Sequence, residues 1–582
     1  MPVTGRRPSL AAIGRLAIPY FRSEDRLVGW LLLGAVVAIE LAVVGLTVLF
    51  NQWNNAFYNA LQDRNWDVFV DQLQYFCVLA ASFIILKVYQ LYLNQWLQIR
   101  WRRWMTEAYV GHWLERANHY RMQLLGDAAD NPDQRIAEDV RLFIERTLRI
   151  GLGFLNSVVT LLSFVIILWG LSNAAPLQVF GATWNIPGYL VWAALIYAVF
   201  GTLFTHLIGR PLIRLLFDQQ RYEANFRFNL VRVRENSEQI ALLRGEPAES
   251  ERLAGRFGRV VNNWLSIMSR QKKLTFFTAG YDQASVIFPY IMVSPAYFSG
   301  QVQLGALMQT ASAFGSVQTA LSFFVSTYAE LAEWGAVMER LSGFNAAITG
   351  AKDTEGPRVE VRREPNRSKI GLEELAVRLP NGQPLLARTR ASLTPGEHVL
   401  LTGPSGSGKS TLFRTLAGVW PFGTGSVAIP EDASLMILPQ RPYFPIATLA
   451  AAVTYPAQAG SFSHERIADA LTAVGLPRLV DRLYEEAHWN RMLSPGEQQR
   501  LAISRALLQE PDFLFLDEAT ASLDEPSEAA LYRMLRERLK GTTIISIGHR
   551  STLEAFHSRK LALQPSGDRH ALGEAGMQAA GV

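Results

Sequence analysis

Six stretches of this chain are apolar for long enough to cross a hydrocarbon core of about 30 Å, which takes roughly 20 helical residues. They run near 27–50, 71–99, 147–172, 188–209, 274–298 and 304–344. The last is too long for a bilayer, so its C-terminal part is expected to continue as a helix in water. From about residue 369 to 560 the rhythm changes to short apolar runs alternating with amphipathic helical patterns and turn residues, which predicts a soluble α/β unit. Residues 346–368, rich in charge, glycine and proline, read as a linker. The predicted order is an N-terminal amphipathic segment over 1–26, a membrane domain over 27–345, the linker over 346–368, a soluble domain over 369–565 and a tail over 566–582.

The basic residues test this topology. Arg6, Arg7, Arg15, Arg22 and Arg26 precede the first span, a second block including Arg100, Arg102, Arg103, Arg116 and Arg121 follows the second, and a third runs from Arg210 to Lys273. The intervening loops are nearly bare: 51–70 holds only Arg64, and 173–187 and 299–303 hold no basic residue. The positive-inside rule then puts both termini in the cytoplasm, as an even number of spans requires. Charges interrupt residues 9–26, which argues for an amphipathic helix on the inner membrane surface rather than a cleavable signal. Several tryptophans, Trp101 among them, fall near the span ends, where an amphipathic ring suits the headgroups.

Composition changes the picture in two ways. Only 18% of residues are charged, against roughly 25% in an ordinary soluble domain. The net charge of +5 follows the membrane topology, so nucleic acid is not an expected partner. The single cysteine, Cys77, excludes an intrachain disulfide framework.

Polar residues inside the spans are costly and therefore informative. Glu40 and Lys87 fall at similar depth on oppositely directed spans and are candidates to pair; Asp282 lies about two turns into span five. In span six Gln309, Ser312, Ser316 and Thr319 recur at helical spacing on one face. These residues are the candidates for a solvated substrate cavity, with helix-to-helix packing as the alternative.

In the soluble half an apolar run from His398 ends in Gly403-Pro404-Ser405-Gly406-Ser407-Gly408-Lys409-Ser410, and the helical pattern continues through Thr411. This is a P-loop between strand and helix. Its glycines let backbone N–H groups approach phosphate, Lys409 reaches the β and γ phosphates, and the Ser410 hydroxyl ligates magnesium. Phe513-Leu514-Phe515-Leu516 predicts a buried strand ending in Asp517-Glu518, one carboxylate for magnesium and one positioned to act on water.

Leu493-Ser494-Pro495-Gly496-Glu497-Gln498-Gln499 opens a helix just upstream, and Gln440, Asp524 and His549 complete a series in which this sequence resembles the ATP-binding cassette (ABC) transporters. The resemblance implies a six-helix α transmembrane domain of exporter type (type IV) followed by an α/β nucleotide-binding domain, with ATP and Mg2+ as cofactors. It also implies catalytic roles for Glu518, His549 and Gln440, magnesium contacts from Ser410, Gln440 and Asp517, and nucleotide contacts from the P-loop. Ser494, Gly496 and Asp524 would serve nucleotide held with an opposing cassette. One P-loop and one signature per chain then imply a homodimer. Where cassettes usually offer an aromatic residue to adenine, this sequence has Leu379, so stacking would give way to apolar contact.

Asn51-Gln52-Trp53-Asn54, Asp130-Asn131-Pro132-Asp133-Gln134-Arg135-Ile136, and the stretch from Glu223 to Glu246 resemble the fused permease and ATPase proteins of the SbmA/BacA-like group, relatives of the peroxisomal acyl-CoA transporters. That resemblance implies a multi-pass protein of the bacterial inner membrane that imports bulky polar solutes such as antimicrobial peptides, bleomycin or cobalamin. Transport of lipid or acyl-CoA-like substrates and an ATPase-gated channel or regulatory role are the alternatives. The DNPDQRI segment and the stretch from Glu235 to Glu246 are the expected contacts with a cassette.

Overall fold

The structure, a computed structural model, describes residues 10–125, 131–174, 177–179, 182–184, 186–323, 327–352, 358–458, 460–567 and 569–576. They form two compact units, Met1–His112 with Asp130–Ala346, and Trp113–Ala129 with Ala347–Val582.

The six apolar stretches are helices: α1 (Arg26–Gln62), α2 (Trp66–Leu114), α3 (Val140–Ala174), α4 (Tyr189–Glu235), α5 (Glu246–Phe298) and α6 (Leu304–Leu321). The first five run 37, 49, 35, 47 and 53 residues, so each extends well beyond the length a bilayer needs. Among the described residues, the helical stretches holding α1 to α4 are long and apolar enough to cross a membrane. Ile84, Ile85, Val88, Ile166 and Ile196 on their outer faces are more than half exposed, as surfaces facing lipid or another apolar surface are. Phe164, Leu168, Leu190, Ala194, Val293, Phe314 and Val317 build one core from α3, α4, α5 and α6.

Polar residues join the helices at two further places. Tyr197 of α4 and Tyr281 of α5 stack at 4.4 Å, and each hydroxyl donates to the other's backbone carbonyl. A Cβ at residue 201 would lie 2.3 Å from the Tyr281 ring, which is why glycine stands there. On α1, Asn51, Asn55, Asn59 and Gln62 share the face toward α6. Asn51 and Gln309 exchange hydrogen bonds at 3.0 and 3.2 Å, and the Asn55 amide donates to the Gln309 side-chain oxygen at 2.6 Å. Asn59 and Gln62 accept from the N–H groups of Gly305 and Leu304, at 2.8 and 2.6 Å, which satisfies donors that the first turn of α6 leaves free. Of the Asn-Gln-Trp-Asn motif, Asn51 belongs to this interhelical amide ladder, while the Trp53 indole N–H donates to the Gln72 carbonyl of α2 at 2.9 Å.

Several expectations are corrected here. The last stretch is not one described helix: α6 ends at Leu321, and α7 covers Tyr328–Lys352; residues 324–326 lie outside the described residues. The N-terminal segment forms a short helix, Leu10–Ala17, but it is tied to α2: Tyr20 is fully buried and stacked on Trp101 at 5.5 Å, and Asp25 pairs with Arg100 at 2.7 Å. Trp101 is therefore buried rather than interfacial. The expected linker is partly structured, because α7 runs to Lys352 and Glu360–Glu364 is a strand. The expected tail contributes another strand, Arg569–Glu574.

The second unit holds a ten-stranded sheet among the described residues. One half of it is parallel: Leu435–Leu438 at the edge, then Phe513–Asp517, Thr543–Ile547, Val399–Thr402 and Arg559–Ser566 lie side by side in that order. Helices cover both faces, which explains the unbroken apolar runs. Phe513 and Phe515 pack with Leu412 and Phe413 on one face, while Leu514 and Leu516 pack with Leu501, Leu531 and Tyr532 on the other. The segment grouped with this unit from the N-terminal half is Trp113–Ala129. Its helix Asn118–Leu124 is anchored by Arg121, which donates to the Gly418 carbonyl at 3.2 Å, and by Leu124 against the apolar core. The DNPDQRI segment, expected in that role, belongs to the first unit: Pro132–Gln134 opens a helical stretch that continues through Arg135–Asp139 into α3, and Arg135 joins Arg340 on the buried Asp139 carboxylate.

Candidate functional site

The parallel strands deliver their side chains to one edge of the sheet, where open α/β sheets place their ligands. Strand Val399–Thr402 runs into the loop 403–408 and helix Lys409–Leu416. Gly403, Gly406 and Gly408 hold φ of +148°, +79° and +96°, conformations that favour glycine. A Cβ on Gly408 would also lie 2.9 Å from Leu385. Lys409 is buried, and its ammonium donates to the carbonyls of Gly403 and Pro404 at 2.9 Å each. Burial lowers its pKa, and the nearby Glu518 and Asp517 carboxylates oppose that shift.

Asp517 ends its strand opposite the loop and accepts the Ser410 hydroxyl at 2.8 Å. Burial raises the Asp517 pKa, against the Ser410 hydrogen bond and the Arg414 charge. A hydroxyl and one carboxylate beside a phosphate-binding loop suit Mg2+, which takes few protein ligands and completes its shell from phosphate and water. The glycine loop, the buried lysine and this oxygen pair fit the Mg–ATP complex.

Glu518 follows with φ of +50°, a backbone conformation that costs a non-glycine residue on the order of 1 kcal/mol or more. It aims the carboxylate at two partners: the Gln440 amide donates at 2.9 Å, and His549 Nε2 lies 3.3 Å from the other oxygen. A carboxylate held this way can orient a water and take its proton, with Gln440 and His549 fixing its direction.

The signature presents a different arrangement. Ser494 caps the helix Pro495–Gln509 in a reciprocal box with Glu497, and the Ser494 hydroxyl donates to the Glu497 carboxylate at 2.8 Å. Arg478 pairs with the same carboxylate. Among the described residues no hydrogen bond links Ser494 or Gly496 to the loop of their own chain. Asp524 caps the next helix through the Ser527 N–H at 3.3 Å. Leu379 sits half-buried where two strands turn, its carbonyl accepting from Gly382 at 2.9 Å, and packs against the apolar core.

Sequence reasoning passed over Gln499. This buried side chain donates to the Gln440 carbonyl at 3.3 Å and accepts the Ser522 N–H at 2.9 Å, tying the signature helix to the segments flanking Glu518. Its only sequence signal is its place in the signature run.

The membrane candidates separate. Glu40 and Lys87 do not pair: Glu40 is buried and accepts the Asn156 amide of α3 at 2.5 Å, while Lys87 donates to Gln90 on its own helix at 3.0 Å. Similar depth was satisfied by different neighbours. Gln309 is buried in the amide ladder. Ser312 and Ser316 are half-buried, while Thr319 and Asp282 are exposed.

A P-loop, a paired Asp-Glu at a strand tip and a capped signature helix, carried by a chain with long apolar helices, define an ATPase built into a membrane transporter. Residues 16–298 match the family described as ABC transporter transmembrane region 2, and residues 386–521 match the ABC transporter family. The chain is 34% identical to the inner membrane ABC transporter ATP-binding protein YddA of Escherichia coli, over 91% of this chain and 93% of that protein. It is 26% identical to the human lysosomal cobalamin transporter ABCD4, over 97% and 96%. A bacterial Atm1-family ABC exporter with ATP bound shares the fold, with a TM-score of 0.73 at 18% identity over 93% of this chain and 95% of that one. With 32% identity to the chloroplastic ABC transporter D family member 2 of Arabidopsis thaliana, over 94% of this chain and 85% of that protein, the chain belongs to the ABC transporters, as a fused membrane and ATPase protein of ABCD type with the type IV exporter fold. ATP and Mg2+ are its cofactors, and ATP hydrolysis drives its transport.

Proposed function

We propose that two copies of this chain form a homodimer that imports bulky hydrophilic solutes across a bacterial inner membrane, with both termini in the cytoplasm, as in the SbmA/BacA-like group. The observation that carries the solute class is α6. Its buried face is committed to packing through Gln309, Phe314 and Val317, whereas Ser312, Gly315, Ser316 and Thr319 on the less buried face are small or polar. Such a face suits a water-filled path better than lipid. A peptide, a bleomycin or a cobalamin fits this character, and the cobalamin transporter among the relatives supports it.

Dimerisation follows from the chemistry. Ser494 and Gly496 would meet γ-phosphate on the opposing chain's P-loop, and the uncommitted apolar side chains of Leu242 and Leu243, 77% and 82% exposed in the connection between α4 and α5, would dock on the opposing cassette. In that dimer Glu518 acts as general base, Gln440 and His549 orient it, Lys409 holds the phosphates, Ser410 and Asp517 hold magnesium, and Leu379 contacts adenine. A second reading, transport of lipid or acyl-CoA-like substrates, is favoured by Val286, Ile287 and Ile291, all more than half exposed along α5 near Asp282.

Uptake of a labelled antimicrobial peptide and of labelled cobalamin into cells carrying the intact chain or Glu518→Gln separates these readings. The proposal expects accumulation of at least one polar probe that the variant abolishes. No uptake of either, together with ATPase stimulation by acyl-CoA, would overturn it in favour of the second reading.

A further inference from the structure

Between α4 and α5 lies a groove of about 1020 Å3, lined by Arg210, Arg214, Arg270 and Lys273 together with the hydroxyl residues Ser266 and Ser269. Asp218 is the one acidic residue of the lining, and it pairs with Arg221 at 2.9 Å. Among the described residues none of the four cations has a carboxylate partner. Topology alone does not ask for this. The positive-inside rule is met by cations anywhere in the loop, and Arg227, Arg234, Arg256 and Arg259 supply them. Four cations around one cavity repel one another until an anion enters.

Depth indicates where that anion comes from. Arg210 directly follows the apolar stretch of α4 and Lys273 directly precedes that of α5, so the groove stands at headgroup level. About one turn toward the bilayer on each helix, Leu207 and Phe276 are 61% and 85% exposed. A free phosphate would use the cations and hydroxyls but leave those apolar side chains untouched. An anionic amphiphile engages both. We propose that the groove between α4 and α5 binds the headgroup of an anionic phospholipid of the cytoplasmic leaflet, one carrying two phosphates, with its acyl chains over Leu207 and Phe276. Four cations and two hydroxyls match two phosphates better than one, and basic pockets between membrane helices on this side are suited to such lipids. The leaflet rests on the orientation proposed above, whereas binding in detergent does not depend on it.

Native mass spectrometry of the purified full chain, delipidated and titrated with cardiolipin or phosphatidylcholine, tests this without turnover. Cardiolipin should be retained where phosphatidylcholine is lost. Each neutralised cation in an Arg210→Gln, Arg214→Gln, Arg270→Gln and Lys273→Gln series should weaken retention about fivefold. Neutralising Arg227, Arg234, Arg256 and Arg259 to Gln should leave it unchanged. Unaltered ATP binding identifies folded variants, and the single variants Arg210→Gln and Arg270→Gln carry the test if the combined one does not assemble. Equal loss in the control set would overturn the groove, and displacement of cardiolipin by millimolar pyrophosphate would reassign it to soluble phosphates. Failure to retain cardiolipin over phosphatidylcholine would overturn the proposal.

Discussion

The α1–α6 interface and the P-loop region are both rich in polar side chains, yet they use them in opposite ways. In the membrane unit Asn51, Asn55, Asn59, Gln62 and Gln309 satisfy one another or backbone donors, and Glu40 takes its hydrogen bond from Asn156. Polar atoms there hold helices together. In the cassette Lys409, Ser410, Asp517, Glu518, Gln440 and His549 converge on one edge of the sheet, with Glu518 held in a costly backbone conformation to do so. Closure among neighbours marks a structural polar group, and convergence on a shared opening marks a chemical one.

Inside the cassette His557 behaves as the membrane amides do. It is buried, with Nδ1 2.7 Å from the Leu553 carbonyl and Nε2 2.9 Å from the Ser546 hydroxyl. Burial pushes its pKa down from 6.5 to about 4, against the Leu553 hydrogen bond, while His398 and Arg536 add to the fall. The unfolded chain therefore takes up this proton first. Stability from neutral His557 is complete above pH 6.5 and is lost as the pH falls through about 4, by up to about 3 kcal/mol. Urea titrations of the full chain between these limits should show a shallower decline for His557→Gln than for the intact protein. Parallel declines would place His557 outside the structural class.

The Glu40 assignment sharpens the comparison on the membrane side. Asn156→Leu leaves a buried carboxylate without its donor and should cost about 2 to 3 kcal/mol, while Lys87→Met should change stability by under about 0.5 kcal/mol. Melting in detergent of both single variants, and of each combined with Glu40→Leu, measures the coupling. Coupling of Glu40 to Lys87 rather than to Asn156 would break the assignment.

Gln499 lies on the boundary, since it touches no proposed reactant yet ties the signature helix to the segments around Glu518. Gln499→Ala should lower ATPase kcat about tenfold through misplacement of Glu518, with ATP affinity retained and partial recovery in Gln499→Glu. Equal losses in kcat and ATP affinity would assign it a merely structural role.

The two units were not equally legible in the sequence. The cassette motifs were readable because loop, strand tip and helix cap each impose residue types at fixed spacing, and the structure joins Ser410 to Asp517 and Gln440 to Glu518. In the membrane, span positions were readable from apolar length, but partners were not. Matched depth put Glu40 beside Lys87, whereas helix rotation turns Glu40 toward Asn156 on α3. The segment packed on the cassette escaped for a related reason: Asn118–Leu124 carries no motif, and its role rests on Arg121 and Leu124 reaching residues about three hundred positions away.

Steady-state ATPase of the purified Glu518→Gln chain, measured beside its ATP affinity, tests the catalytic assignment most directly. An amide can still meet Gln440 but cannot accept water's proton, so hydrolysis should fall by about 10²- to 10⁴-fold while ATP binding persists. Near-normal hydrolysis would contradict the account and return the general-base role to another residue.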